Sequence, residues 1–488
     1  MPFPYEDYRS FVDECEKEGL FVKIKKEVDW NLEAGAIARR LAELGKGKTI
    51  AEGGTPGVLF EKIKGYPEGF MLSALATSSR DRIAKLYGYK STDVIEDIQQ
   101  IVLNGMRNPI KPVKVDPKDA LCKQNKLFGD DINLYKFPAP MLHDGDGGRY
   151  MGTWNFVITK DKDSDWVNWG TYRSMIVDRK TLSGIIEYGQ DIGKHYRKYE
   201  QINELMPFAI VIGSDPLSFA IGGSAVLPGQ NEVDVVGGIR KKPMKLVKCE
   251  TNDLCVPASA EIVIEGFVPP HTRVWEGPYG EYTGYRASPR DLRPVYTVQA
   301  ITYRNNPILT FEPTGTPVAD FGTTIATSAM ASEALRIVGI QARVWTMPET
   351  DSTLTVVAVK NVTPNIATMV KNTLTSQLGV MSLYNFKFLI VNDDINIYDP
   401  AEVLWALCTR VHPRRGVIIS DEICGALAPF ASLDERLKRN APHITFDGTW
   451  PLDWHPTVAV PPVASFKSIF PKEIQDKVLQ NWKSYGLK

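Results

Sequence analysis

The chain has almost no excess charge of either sign: 57 Lys and Arg stand against 58 Asp and Glu over 488 residues, for a formal net charge of −1. Such a balance gives no field to steer nucleic acid or an anionic membrane surface, so any phosphate site must be local. Long apolar runs are also missing, and none approaches the roughly 18 residues that a membrane span needs. The opening Met1-Pro2-Phe3-Pro4-Tyr5-Glu6-Asp7 has neither the basic start nor the apolar stretch of a secretory signal. Cysteine is scarce and dispersed. Cys15, Cys122, Cys249, Cys255, Cys408 and Cys424 show no CxxC spacing, which argues against a disulfide framework or a zinc site. The expectation is a cytoplasmic protein with reduced thiols, binding neither nucleic acid nor membrane. No internal repeat or low-complexity tract is visible.

What is present is a change of texture along the chain. Tyr8, Phe11, Val12 and Cys15 recur at helical spacing and stop at Gly19. A strand at 20–24, a helix from Asn31 carrying Leu32, Ala36, Ile37, Leu41 and Leu44, strands at 57–60 and 70–72, and a helix capped by Ser91-Thr92 complete an α/β module. Residues 106–133 hold Pro109, Pro112 and Pro117 among many lysines and read as a linker. From 150 to 304 the chain is β-rich, with strand patterns at 154–159, 209–213, 261–266 and 296–303, a spacing that suggests a barrel or sandwich. A helix rich in small residues follows at 323–337. The remainder returns to α/β, with strands at 355–359, 386–391 and 417–419 and a helix at 401–410.

Two apparent motifs carry no chemistry. Gly45-Lys46-Gly47-Lys48-Thr49 ends like a phosphate-binding loop, but its first glycine should fall at Ala42 and no apolar strand precedes it. Asp144-Gly145-Asp146-Gly147-Gly148 lacks the closing glutamate of a calcium loop and reads as a tight polar turn.

Three other stretches do suggest chemistry. In 166–173 an Asn, a Gly and an Arg interrupt an aromatic strand; alone, this reads equally as an edge strand with a surface arginine. In Glu276-Gly277-Pro278-Tyr279-Gly280-Glu281 the insert between the glutamates should turn the chain, so that both carboxylates converge on one cavity. Paired carboxylates near a shared arginine have divergent pKa values, which is how a site keeps one acid protonated at neutral pH. A hairpin with two solvated glutamates fits the same spacing. The third stretch, 221–228, reads equally as a plain Gly-rich turn with solvated acids after it or as a small-residue loop whose backbone N–H groups could hold a phosphate. Asn168 and Glu232 are hard ligands suited to Mg²⁺ or Mn²⁺ beside it.

Taken together and in order, these stretches resemble the UbiD-like decarboxylases, particularly the branch with the ferulic and cinnamic acid decarboxylases. Asp146-Gly147-Gly148-Arg149-Tyr150, 168–173, Lys248-Cys249-Glu250-Thr251-Asn252-Asp253-Leu254, 262–266, 276–285, 300–306, 390–410 and the closing Asn481-Trp482-Lys483-Ser484-Tyr485-Gly486 carry the resemblance across nearly the whole chain. It implies a multidomain α/β (α+β) fold. An N-terminal α/β domain would span 1–115, a split β-barrel binding prenylated FMN 116–320, a connecting helix 321–340, and a C-terminal α/β dimerisation domain 341–488.

The family's Glu–Arg–Glu network falls on Glu276, Arg173 and Glu281, with Glu281 as the acid that protonates the carbon losing CO₂. The resemblance places Mn²⁺ or Mg²⁺, with K⁺ as a further cation, at Asn168, Glu232 and a third ligand. The family usually has a histidine there and this chain has Asp191, with His195 one helical turn on as the alternative. Flavin contacts would come from Asn168, Gly170, Thr171, Tyr172, Arg173, Gln190, Asp191, Gly223, Ser224, Ala225 and Glu232. The family's phosphate-contacting lysine has no assigned position. The substrate pocket would be lined by Tyr282, Phe311 and Phe321, with Thr310, Thr316, Pro317, Val318 and Thr324 near them.

The implied activity is reversible non-oxidative decarboxylation of an aromatic, heteroaromatic or α,β-unsaturated carboxylic acid through a covalent prenylated-FMN adduct. A flavin prenyltransferase would supply the cofactor, and the assembly would be a homodimer or larger. The rival reading is an FMN-binding oxidoreductase or flavin carrier of the split-barrel type, which needs no paired glutamates near an arginine.

Overall fold

The computed structural model describes residues 3–89, 95–224, 226–227, 229–316, 321–378, 381, 383, 387–423 and 425–487. The N-terminal helix Tyr8–Lys17 buries the expected Tyr8, Phe11, Val12 and Cys15, and Asp7 caps it by accepting from the Ser10 N–H. The next helix, Glu33–Gly45, is rotated from expectation. It buries Ala34, Gly35, Ala38 and Ala42 and leaves Leu44 half exposed. Close backbone approach is the reason: a Cβ on Gly35 would lie 2.5 Å from the Leu142 carbonyl oxygen. The expected Ser91-Thr92 cap lies outside the described residues; the helix it was to open runs Ile95–Arg107.

Four strands form the first sheet in the order Phe21–Ile24, Gly57–Phe60, Met71–Ala74, Ile308–Phe311. The last arrives from far along the chain and pairs in parallel with Met71–Ala74. The central sheet runs Tyr150–Gly152, Ser174–Asp178, Thr181–Ser183, Asp291–Tyr303, Ile262–Val268, Met206–Ile212, Asn155–Lys160, Val167–Gly170, with Asn125–Phe128 and Arg273–Glu276 also paired to Asp291–Tyr303. The segment read as a linker therefore contributes a strand. Its polar residues hid it, because Asn125–Phe128 alternates half-buried and exposed positions rather than apolar and polar ones.

Topology forces this sheet to curl. Val167–Gly170 and Ser174–Asp178 stand six strand steps apart in the sheet, about 29 Å if flat at roughly 4.8 Å per step. Only Thr171, Tyr172 and Arg173 join them, a reach of about 14 Å from Gly170 to Ser174. The two ends must come together, and residues 171–173 bridge the seam of a half-barrel.

The helix Gly322–Ile337 packs against Ile95–Arg107, Pro216–Gly222, Ala342–Thr346 and Ile366–Gln377. Eleven of its sixteen residues are buried, which accounts for its small side chains. The last sheet runs Ala342–Thr346, Leu354–Val359, Lys387–Asn392, Asn440–Gly448, Val417–Ile423. The strand Asn440–Gly448 was not foreseen, since Pro442 and Asp447 break its pattern. No residue in 451–487 is buried. Among the described residues no helix is long and apolar enough to cross a membrane, and Cys15, Cys122, Cys249, Cys255 and Cys408 are free thiols.

Candidate active site

A cavity of about 350 Å³ opens at the seam of the half-barrel, lined from Asn168 to Arg173 on one side and by Glu281 and Tyr282 on another. The bridging segment explains its own composition: a Cβ on Gly170 would lie 2.3 Å from the Tyr172 hydroxyl. Arg173 leaves the bridge with its side chain 8% exposed. Its Nε donates to Glu276 Oε1 at 2.9 Å and its Nη2 to Glu276 Oε2 at 2.8 Å. Nη1 pairs with Glu281 Oε1. The Tyr150 hydroxyl donates to Glu276 Oε1 at 2.8 Å, and burial, then the Glu276 charge, push its pKa far up, so it remains a donor. Burial works against the Arg173 charge, but Glu276 outweighs it and the guanidinium stays charged. The trio expected from sequence is assembled.

The turn between the glutamates is built for this. Glu276 ends the strand Arg273–Glu276, and Gly277 takes a φ of +80°, which glycine alone adopts without strain. The Asp144–Gly148 turn supports it from behind. Asp146 Oδ1 accepts the Gly280 N–H at 3.1 Å, and the Gly147 N–H donates to the Pro278 carbonyl at 2.7 Å. His143 Nδ1 bonds Asp146 Oδ2 there at 2.9 Å, a structural contact.

The other end of the cavity gathers Asn168, Asp191 and Glu232. Glu232 opens the helix Glu232–Arg240 and Asp191 opens Asp191–Gln201, both at the positive end of a helix dipole. The edge strand offers unpaired N–H groups, and that helix start takes them: Asn231 Oδ1 accepts from Val167 and Glu232 Oε2 from Trp169, each at 2.9 Å. Burial, and then like charge on Asp191, push the Glu232 pKa well up. Among the described residues no Lys or Arg forms an ion pair with it. Asn168 directs Nδ2 at the Tyr172 hydroxyl, 3.4 Å away, leaving its carbonyl oxygen for a ligand. Asp191 pairs through Oδ1 with Lys194 at 2.7 Å. Two carboxylates and an amide oxygen are the kind of donor set that fits a hard divalent cation.

His195 does not reach this set. Its Nδ1 bonds Thr159 Oγ1 at 2.9 Å, its ring packs edge-on to Trp166, and burial lowers its pKa from 6.5 to about 4. Of the two candidates for the third ligand, only Asp191 is on the cavity wall.

Other expectations need correction. The Gly223 and Ser224 N–H groups close the end of the helix Pro216–Gly222, donating to Phe219 and Ile221 carbonyls at 2.9 and 3.1 Å, so they are not free for phosphate. Both residues still line the cavity. Gly223 is glycine because a Cβ would lie 2.4 Å from Thr323 Cγ2. Ala225, Pro317 and Val318 lie outside the described residues. Gln190, Thr171, Tyr172, Tyr282 and Thr324 line the cavity as expected.

Phe311 does not line it. It is 1% exposed in the first sheet, stacked on Phe60 with centroids 6.3 Å apart. Phe321 instead covers Gly47, where a Cβ would lie 2.0 Å from its ring. Thr310 ties strands together, donating to the Trp154 carbonyl at 2.9 Å. Missed on the wall were Tyr279, Glu312 and Thr314, and from the C-terminal half Ser352, Gln377 and Leu427. Tyr279 lies inside a stretch that was read for its glutamates and Thr314 between residues assigned to the pocket, while no spacing signal marks the C-terminal residues.

Comparison with known proteins places this geometry. The 3-octaprenyl-4-hydroxybenzoate carboxy-lyase N-terminal domain matches residues 12–102, the Rift-related domain 113–317 and the C-terminal domain 322–440. The chain belongs to the UbiD family of carboxy-lyases. Among its relatives, the pyrrole-2-carboxylic acid decarboxylase of Pseudomonas aeruginosa is 28% identical over 98% of each chain, and ferulic acid decarboxylases also match over nearly the full length. The vanillic acid decarboxylase of Sedimentibacter hydroxybenzoicus in its closed form superposes with a TM-score of 0.87 at 28% identity, covering 98% of this chain and 99% of that one. A UbiD-class enzyme from Pelotomaculum thermopropionicum in complex with FMN superposes at 0.78 with 25% identity, covering 98% and 100%.

Proposed function

We propose that this protein is a prenylated-FMN-dependent decarboxylase of aromatic or heteroaromatic acids, with α,β-unsaturated acids as a second substrate class and CO₂ loss reversible. One observation carries the reading: a single buried guanidinium, Arg173, stands between Glu276 and Glu281 on the wall of a cavity whose other end holds Asn168, Asp191 and Glu232. Prenylated FMN, when bound, would supply the electron sink that no side chain offers. Asn168, Asp191 and Glu232 would hold Mn²⁺ or Mg²⁺, which would offset the negative charge of the cofactor.

The chain's own residues handle charge and proton. Nε and Nη2 of Arg173 are committed to Glu276, so Nη1 is the edge that receives the substrate carboxylate. An anion arriving there is a like charge against Glu281 and displaces it from Nη1, which favours the proton-carrying form of that acid. Glu281 then delivers its proton to the carbon that has lost CO₂. Tyr150 holds Glu276 in place throughout. A flavin oxidoreductase or carrier would need the cradle but not this trio.

The assembly belonging to this reading is three units, 1–115, 116–320 and 341–488, joined by the helix around 321–340. A homodimer would form through the last unit. Exposed apolar side chains such as Ile469, Phe470, Leu479 and Trp482 in its closing segment support a second copy there. A flavin prenyltransferase is the cofactor's source. The test is CO₂ release by protein reconstituted with prenylated FMN and Mn²⁺ across a panel of aryl, heteroaryl and acrylic acids. Flavin identity is checked by absorption and mass. Binding of plain FMN with no CO₂ from any acid would overturn the reading.

A further inference from the structure

We infer that Tyr279 is a positioning residue for Arg173: its ring holds the face of the guanidinium while Glu276 holds one edge, and together they fix the direction of Nη1. The inference rests on the decarboxylase reading above, in which Nη1 receives the substrate carboxylate. Tyr279 lines the same cavity as Arg173 and Glu281, is 1% exposed and belongs to the turn between the two glutamates. The central carbon of the Arg173 guanidinium lies over its ring, 5.2 Å from the centroid.

The bidentate pair with Glu276 leaves one freedom open. Two parallel bonds set an edge of the guanidinium against the carboxylate, but the group can still swing about that edge and carry Nη1 with it. A ring on the face opposes the swing. A cation within about 6 Å of an aromatic centroid is attracted to its face, most strongly where water is excluded, and both side chains are nearly out of water here. The ring itself is fixed. Its hydroxyl bonds Thr314 Oγ1 at 2.9 Å, and Thr314 Oγ1 donates to the Gly280 carbonyl at 2.5 Å. The Tyr150 ring packs on it with centroids 4.3 Å apart, and the His143 ring stands edge-on at 5.9 Å.

Because Tyr150 also donates to Glu276, the contacts close a circuit. Arg173 holds Glu276, Glu276 accepts from Tyr150, Tyr150 packs on Tyr279, and Tyr279 returns to Arg173. The circuit matters most when Glu281 gives up Nη1 to the incoming acid. At that moment, among the described contacts, Glu276 and the Tyr279 ring are what still hold the guanidinium. With its plane kept, Nη1 meets the carboxylate in the direction that folding set, and little freedom is left to lose on binding.

The experiment replaces Tyr279 in the reconstituted holoenzyme with phenylalanine, 3,5-difluorophenylalanine and 3,4,5-trifluorophenylalanine. Fluorine withdraws the negative potential of the ring face and nearly keeps its shape, so fold and packing are preserved across the series. The readouts are kcat and KM for CO₂ release from pyrrole-2-carboxylate, 4-hydroxybenzoate and cinnamate, and folding stability by chemical denaturation. From phenylalanine to the trifluoro ring, KM should rise by about tenfold or more while kcat moves by less than about threefold, the pattern of lost binding rather than lost chemistry. Over the same series the folding equilibrium constant should fall by roughly tenfold, and that fall should vanish in the Arg173→Met background. KM that stays flat from phenylalanine to the trifluoro ring overturns the inference and leaves the decarboxylase reading intact. A fall in stability that persists in Arg173→Met places the effect of the ring elsewhere than on Arg173 and overturns it too. No CO₂ from any of the three acids, with flavin bound, overturns the decarboxylase reading and this inference with it.

Discussion

The two ends of the cavity are built on opposite electrostatic plans. Around Arg173 each buried charge has its counter-charge inside the protein: one guanidinium serves both glutamates, and a tyrosine hydroxyl completes Glu276. Around Asn168 stand two carboxylates, Asp191 paired with Lys194 and Glu232 with no such partner among the described residues. One of them is buried deeply enough that its ionised form is disfavoured. Folding alone therefore pairs the charges around Arg173, whereas the buried Glu232 carboxylate has no Lys or Arg ion-paired with it among the described residues.

Breaking the first end should have the largest effect. Arg173→Ala leaves two buried carboxylates without a counter-charge, and is expected to abolish CO₂ release and to lower stability by about 3–5 kcal/mol. Turnover assays and chemical denaturation check both, and wild-type turnover would dismantle the trio. Glu281→Gln should keep flavin and fold but slow CO₂ release by roughly 10²–10⁴. A variant with near-full rate removes Glu281 from the acid role.

At the second end, Asp191→Ala should lose metal and flavin together, by at least about tenfold in affinity, while Asp191→His keeps both and His195→Ala changes neither. Metal analysis and flavin content decide this, and unchanged metal in Asp191→Ala would remove it as a ligand. Tyr150→Phe tests how firmly the first end is held. Loss of its hydrogen bond to a charged group should cost roughly 1.5–3 kcal/mol of stability.

The smallest effect concerns His195, whose folded pKa of about 4 lies below the unfolded 6.5. The unfolded chain takes up the proton first, so stability is lost as pH falls from 6.5 towards 4. His195→Gln should flatten that acid limb in denaturant midpoints measured against pH. An unchanged limb would show that the imidazole does not stay neutral.

Much of the first end was legible because it is local. Gly277 and Gly280 announce a turn, and a turn of that length brings Glu276 and Glu281 to one side. The Gly-rich stretch at 221–228 was read for its composition, but its N–H groups at 223 and 224 finish a helix instead. Hydrogen-bond donors are claimed by whichever acceptor folding brings nearest, and spacing cannot reveal that. Phe311 and Glu312 are neighbours, yet one enters the sheet core and the other the cavity wall. Strand alternation allows such a split without saying which face is which.

Sequence alone determined the order of α/β, β-rich and α/β segments, the turn that pairs the two glutamates, and the family to which these motifs belong. Only the tertiary structure decided that Arg173, 103 residues before Glu276, meets it, that Asp191 rather than His195 reaches the cavity, and that Glu312 forms part of its wall. Local patterns follow from steric and hydrogen-bonding preferences within a few residues. Which walls face each other follows from the curl that three bridging residues impose by joining strands six steps apart, a constraint that resides in long-range pairing.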